Sequence, residues 1–111
     1  MTRCEPQLLY QAPRLCIARC QHCHRITVMF VNLLAGFSPP DFDNFCRNVT
    51  QTDFDDYSTP FPDGEPHLVL HTCHDDIQFT FNRSEFEQLQ RALTETQLLL
   101  EAQHILHASH E

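Results

Sequence analysis

The stretch ITVMFVNLLAGFSPPDFDNFCRNVTQ, residues 26–51, predicts a β-hairpin followed directly by a helix. Two apolar runs flank Val31-Asn32, a pattern typical of two strands joined by a tight turn. Ser38 can cap a helix, and Pro39 fits the first helical position. Apolar residues then recur at the spacing of one buried helix face: Phe42, Phe45, Cys46 and Val49. The stretch therefore predicts one hairpin-plus-helix unit.

A similar unit follows later in the chain. Residues 26–51 align with residues 70–95 without a gap when Phe42 is set against Phe86. The alignment also places the cap residue Ser38 opposite Asn82, which is a second good helix cap. Each unit has an apolar face that the other can cover, so internal duplication is one explanation. Chance similarity between two amphipathic patterns is the other.

The other strand candidates complete the predicted architecture. Strands are predicted at 14–19, 25–30, 33–37, 67–72 and 77–81, with 7–11 as an extension of the sheet edge. We expect an α+β fold in the order β-β-β-α-β-β-α, with one antiparallel sheet of about five strands and two helices on one face. A chain of 111 residues suits a single domain, 1–111, with halves 14–51 and 66–109 joined by a solvated acidic loop, 52–65.

Charge and composition restrict the class of partner and the compartment. The chain has 15 acidic residues against 7 basic ones, all of them arginine, and a net charge of -8. This balance argues against nucleic acid and against anionic membranes as partners. No secretory leader and no apolar run of about 20 residues is visible. We therefore expect a cytoplasmic protein whose cysteines are reduced.

The order of these features resembles a family of small bacterial proteins of unknown function. The resemblance rests on the stretches CQHCHRITVMFVNLLAGFSPPDFDNF and HLVLHTCHDDIQFTFNRSEFEQLQRALTETQLLLEA. It covers most of residues 15–105 and includes a Cys-x-x-Cys turn and two hairpin-helix units. The resemblance supports the predicted fold and implies no activity.

The turn at residues 20–24 is a candidate metal site. Two residues separate Cys20 from Cys23, which lets both sulfurs reach one zinc ion at about 2.3 Å. Shifting the repeat by seven residues, Ile26 onto Ile77, sets this pair against His71 and His74. The candidate zinc ligands are thus Cys20, Cys23, His71 and His74, with His22, His24 and Cys73 as alternatives. The competing interpretation is that these are ordinary buried or turn residues with no metal.

Other chemistry for the thiols is less well supported. Cys16, Cys20 and Cys23 have the C-x3-C-x2-C spacing of loops that bind iron–sulfur clusters, but the chain is too short for the surrounding barrel. A redox Cys-x-x-Cys pair normally opens a helix, whereas this pair precedes a strand. No nucleophile-and-base set or glycine-rich phosphate loop is present. We therefore expect a binding or assembly module, and a metal-dependent or thiol-based enzyme using the Cys20–His24 turn is the alternative.

The C-terminal segment predicts self-association. Residues 83–109 can form a helix about 40 Å long at 1.5 Å per residue, longer than the body of a chain of this size. Its second half is apolar around most of its circumference and is expected to form a twofold homodimer through Leu98, Leu99, Leu100, Ile105 and Leu106. The alternative is that the first strands or the 50–66 loop fold back over this half of the helix. Three histidines recur on the same segment: His104, His107 and His110. Glu101 and His104, three residues apart, are candidate ligands of one metal ion. The alternative is that the row of histidines forms the polar surface of a helix end.

Overall fold

The computed structural model describes residues 5–109 and contains strands and helices in mixed order. The first strands are β1 (Pro6–Ala12), β2 (Leu15–Cys20), β3 (Ile26–Phe30) and β4 (Leu33–Phe37), followed by the helices α1 (Pro39–Thr50) and α2 (Phe54–Tyr57). The second half contains β5 (Thr59–Pro60), β6 (Pro66–His71), β7 (Gln78–Phe81) and α3 (Arg83–Ser109). His110 lies outside the described residues. The α+β class is confirmed.

The prediction of a single sheet of about five strands is wrong. The strands form two antiparallel sheets, one of four strands in the order β1-β2-β3-β4 and one of three in the order β5-β6-β7. The sheets meet through side chains, with the ring centroids of Phe30 and Phe81 5.7 Å apart. Phe30 belongs to β3, an inner strand whose two edges are already paired with β2 and β4, so this contact is made by side chains and not by a backbone ladder. The two hairpins therefore remain separate sheets.

Both predicted helix starts have the expected caps. Ser38 Oγ accepts a hydrogen bond from the Asp41 backbone N–H at 3.3 Å. At α3, Asn82 Oδ1 accepts from the Glu85 N–H at 2.8 Å, and Glu85 Oε1 accepts from the Asn82 N–H at 2.9 Å. These contacts satisfy backbone donors that have no partner within the helix. The local sequence thus fixes where α1 and α3 begin.

The helix α3 connects the two sheets. It contacts β1 and β2 of the first sheet, β6 and β7 of the second, and α1. Its buried side chains repeat every three or four residues: Phe86, Leu89, Leu93 and Thr96, followed by Leu100, which packs partly buried against the core. Gln90 Nε2 donates to the backbone oxygens of Val49 at 3.0 Å and Thr52 at 2.9 Å. One helix therefore holds both sheets and the end of α1 together.

The acidic segment 52–65 is more ordered than the predicted solvated loop. Asp53 caps α2 by accepting from the Asp55 N–H at 2.9 Å. Phe54 is buried, its ring lies 6.1 Å from that of Phe86, and the Arg83 guanidinium lies 4.9 Å from its centre. Burial of the Phe54 side chain anchors the segment to the core, while the neighbouring carboxylates stay in solvent.

The two hairpin-helix units match in part. In the first hairpin Ile26 pairs with Phe37, and in the second Leu68 pairs with Phe81. The gapless alignment sets Ile26 against Leu70, so it places the first strand of the second hairpin two residues too late. The longer β6–β7 loop absorbs the difference. The seven-residue shift does not describe the structure, because Ile77 precedes the second strand of its hairpin, whereas Ile26 begins the first.

Candidate functional site: an apolar groove between the sheets

A groove of about 540 Å³ lies between β4 and the β6–β7 hairpin. Its walls are mainly aliphatic and aromatic and include Leu33, Phe37, Phe45, Leu70, Phe79 and Phe81. This volume lies within the range of about 300–1,000 Å³ that is usual for small-molecule pockets.

The groove is bounded on both sides by packed residues. On one side, the Phe37 and Phe45 rings stack with their centroids 4.7 Å apart, which fixes the wall formed by β4 and α1. On the other side, Leu70 pairs with Phe79 across the β6–β7 hairpin. The Phe30–Phe81 contact closes the gap at its base. The walls are therefore built from elements that are themselves packed.

Polar side chains line one end of the groove. The β6–β7 loop contributes His71, Thr72, Cys73 and His74 to the lining. The Thr72 N–H donates to Gln78 Oε1 at 2.7 Å, and Thr72 Oγ1 hydrogen-bonds to the backbone oxygens of His74 and Ile77. These bonds hold the loop in one conformation. The site thus combines apolar walls with a pre-organised polar end, an arrangement suited to binding a molecule with a single polar group.

The structure brings the two predicted cysteine ligands together. Cys20 ends β2 and is buried, whereas Cys23 lies exposed in the following turn, with its backbone N–H 3.5 Å from Cys20 Sγ. The pair precedes β3, as the sequence predicts, and does not open a helix. Both cysteines line a depression together with Ala18, Arg25 and Thr27.

The histidines predicted to complete a zinc site lie elsewhere. His71 and His74 line the apolar groove, and so does Cys73, which the sequence offers as a substitute ligand. His22 lies 3.7 Å from a Glu5 carboxylate oxygen, and His24 lines a different cleft, beside α3. Zinc at the Cys20–Cys23 turn therefore stays a prediction, based on the two thiols alone.

Sequence reasoning missed a further group of potential ligands. Among the described residues, Asp63, Glu65 and His67 have ligand atoms within 4.8 Å of one another. This is the arrangement expected of a cation site. The sequence held two signals for this group: the Asp63-Gly64 turn of the β5–β6 hairpin, and the alternation of polar and apolar residues that follows it. His67 Nε2 lies 2.6 Å from Asp63 Oδ2, and the Glu65 N–H donates to Asp63 Oδ1 at 2.9 Å. Those two bonds lower the pKa of Asp63.

The Asp63–His67 pair is explained without a metal. His67 Nδ1 is buried and makes no hydrogen bond within the described chain. A metal-bound histidine usually donates its other ring N–H to an acceptor, and here that proton would be buried without one. The hydrogen-bonded pair therefore stabilises the β5–β6 hairpin loop, and the His67 ring contacts that of Phe61 with centroids 4.6 Å apart and planes tilted by 40°.

The comparisons with known proteins identify a family but no activity. A family model described as a family of unknown function (DUF6686) matches residues 3–109. Neither the curated proteins nor the solved structures gave a match. Within residues 5–109, no helix has the length and apolar character needed to cross a membrane.

Proposed function

Because the chain belongs to this family of unknown function, we propose its role from its own geometry: it is a binding module for a small, mainly apolar molecule. The groove between the two sheets is the site. The polar end at His71, Cys73 and His74 receives the single polar group of the ligand. Catalysis is not part of the proposal.

The observation that carries this proposal is that the inner walls of the two sheets are not filled by the chain itself. The groove lies between packed strands, yet Leu34 at its border is 68% exposed. A core normally closes such a gap, because unfilled apolar surface forfeits dispersion contacts and costs free energy. A ligand that covers these walls gains about 25 cal/mol for each Å² of apolar surface removed from water.

Replacing Leu34 by serine is expected to weaken binding of the neutral dye Nile red about tenfold. Covering one leucine side chain contributes roughly 1.5 kcal/mol or more, which is about a factor of ten in affinity. Because Leu34 is exposed, we expect its loss to change the unfolding free energy by about 0.5 kcal/mol or less. Titration of the folded protein by dye fluorescence measures the affinity.

The matched control is Leu8→Ser. Leu8 is 52% exposed on β1, which belongs to the same sheet but does not line the groove. We expect this variant to bind the dye as the original chain does. Equal affinity in both variants, or no saturable binding by the folded protein, would show that the groove is not a ligand site.

A second candidate function is self-assembly through α3. Leu98 and Ile105 are 61% and 59% exposed, and Leu99 and Leu106 are 36% and 61% exposed. Each pair is seven residues apart, the repeat of a coiled-coil seam. Leu100, which the sequence assigned to the same surface, packs towards the core instead. The proposed twofold interface therefore consists of Leu98, Leu99, Ile105 and Leu106.

The charge substitution Ile105→Glu is expected to convert a dimer into a monomer. Burying one carboxylate from each subunit in an apolar seam is strongly unfavourable. Light scattering at micromolar concentration should give twice the chain mass of 13.0 kDa for the original protein and the single mass for the variant. Ser84→Glu adds the same charge at the exposed start of α3 and should leave the dimer intact. A monomeric original chain contradicts the proposal.

A further inference from the structure

A second cleft, of about 700 Å³, lies between the second half of α3 and the ends of β1 and β2. The polar residues around it include Gln7, Arg19, His24, Gln103, His104 and His107. We propose that this cleft binds a small polyatomic anion, either a carboxylate or a phosphate group. It is separate from the apolar groove, since the two sets of lining residues do not overlap.

The charge of the cleft favours an anion. The chain has a net charge of -8, yet among the described residues none that line this cleft is acidic. Its lining consists of one arginine, three histidines, glutamine side chains and one leucine. A concave surface of one charge type concentrates ions of the opposite sign. The cleft is therefore a place in this acidic protein where an anion is favoured.

Arg19 is held in position by uncharged side chains. Arg19 Nη2 donates to Gln7 Oε1 and to Gln103 Oε1, each at 2.9 Å. Both acceptors are neutral amides, and within residues 5–109 no carboxylate forms an ion pair with Arg19. By contrast, Arg83 is paired with Asp55 and Glu87. The Arg19 charge is thus fixed in position, partly buried, and not neutralised by the described chain.

The geometry of the guanidinium suits an anion with two oxygens. The two hydrogen bonds to glutamine both leave from Nη2. No hydrogen bond from the Nε or Nη1 of Arg19 is found within the described residues. A guanidinium presents its N–H groups in parallel pairs that match the oxygens of a carboxylate or a phosphate. Oriented by β1 and α3, this group is ready to bind such an anion.

The histidines are positioned from two directions. His104 and His107 occupy successive turns of α3, and His24 comes from the turn after β2. His24 has a φ of 64°, in the left-handed region that non-glycine residues seldom adopt. Strained residues of this kind concentrate at functional sites. Among the described residues, these three histidines do not form a group whose ligand atoms are close enough to share one metal ion. This arrangement favours an anion over a metal ion.

The test is titration of the whole chain with inorganic phosphate and, separately, with acetate at constant ionic strength, followed by ¹H–¹⁵N NMR. We expect saturable shifts in the cleft residues, and at least a tenfold loss of affinity in Arg19→Gln. Arg47→Gln removes the same charge from the exposed surface of α1 and should bind normally. Saturation by phosphate alone or by acetate alone supports the proposal and identifies the ligand group.

A second variant guards against loss of the fold, because Arg19 also joins β1 to α3. His104 is exposed, and His104→Gln is expected to weaken binding several-fold with no change in thermal stability. Absence of saturable shifts with both anions up to 50 mM would overturn the proposal. Equal weakening in Arg47→Gln and Arg19→Gln would also overturn it, because the effect would then come from overall charge.

Discussion

Replacing Phe86 by alanine lowers the free energy of unfolding by about 3–5 kcal/mol, the usual cost of removing a buried aromatic side chain. Phe86 has no exposed surface, and its ring lies 6.1 Å from that of Phe54 and 6.3 Å from that of Phe81. The substitution therefore opens a cavity where α2, β7 and α3 meet. Urea unfolding followed by circular dichroism measures the change.

The comparison variant for this measurement is Glu95→Ala. Glu95 is on the same helix, is exposed, and changes to the same residue. Its expected effect is within about 0.5 kcal/mol, because surface substitutions remove little packing. If Phe86→Ala destabilises the protein no more than this variant does, then α3 does not pack on the second sheet as described.

Raising the pH from 9 to 12 is expected to destabilise the protein through Cys46. Burial, with a smaller contribution from the charge of Asp43, raises the pKa of this thiol from 9.0 to about 12. Between these values the unfolded chain releases the proton and the folded chain keeps it, so stability falls as pH rises. The loss is roughly 1.4 kcal/mol for each pH unit in this window.

Unfolding by urea at pH 8, 9, 10 and 11 tests this effect when Cys46→Ala is compared with the original chain. The variant loses packing at every pH, which lowers its stability by a constant amount. The stability difference between the two proteins should therefore shrink steadily above pH 9. Parallel curves over the whole range would mean that Cys46 ionises as readily in the folded state as in the unfolded one.

The elements that the sequence predicts well are those specified by neighbouring residues. The tight turn at Val31-Asn32, the caps at Ser38 and Asn82, and the spacing of Phe86, Leu89 and Leu93 all act within a few residues. Each signal is a local preference of the backbone or of one helix face. The corresponding hairpin and helices are present in the structure.

The partition into two sheets could not be predicted in the same way. Alternating apolar residues identify a strand but do not specify which strand lies at its free edge. The two sheets contact each other through side chains such as Phe30 of β3 and Phe81 of β7, and that arrangement depends on the packing of the whole chain. The short helix α2 could not be predicted because Phe54 follows and precedes acidic residues, which hides any apolar periodicity. The strand β5 has only two residues, too few to show a pattern.

Prediction of the candidate sites from the sequence is limited in the same way. Cys20 and Cys23 lie close together because they are close in sequence. The remaining ligands of a metal site would have to be brought to them by the fold. The apolar groove combines residues from β4, α1, β6 and β7, and the anion cleft combines Arg19 with His24 and His104. No local motif encodes either grouping. Both require knowledge of where α3 lies.

The position of α3 also has a consequence for biosynthesis. Within residues 5–109 the two sheets share no backbone hydrogen bonds, and the helix that contacts both follows them in the chain. While α3 is still inside the ribosome, the nascent sheets expose apolar faces that nothing else in residues 5–82 fully covers. Exposed apolar surfaces of this kind bind chaperones or associate with neighbouring nascent chains. The yield of folded protein should therefore depend on how quickly translation completes this helix.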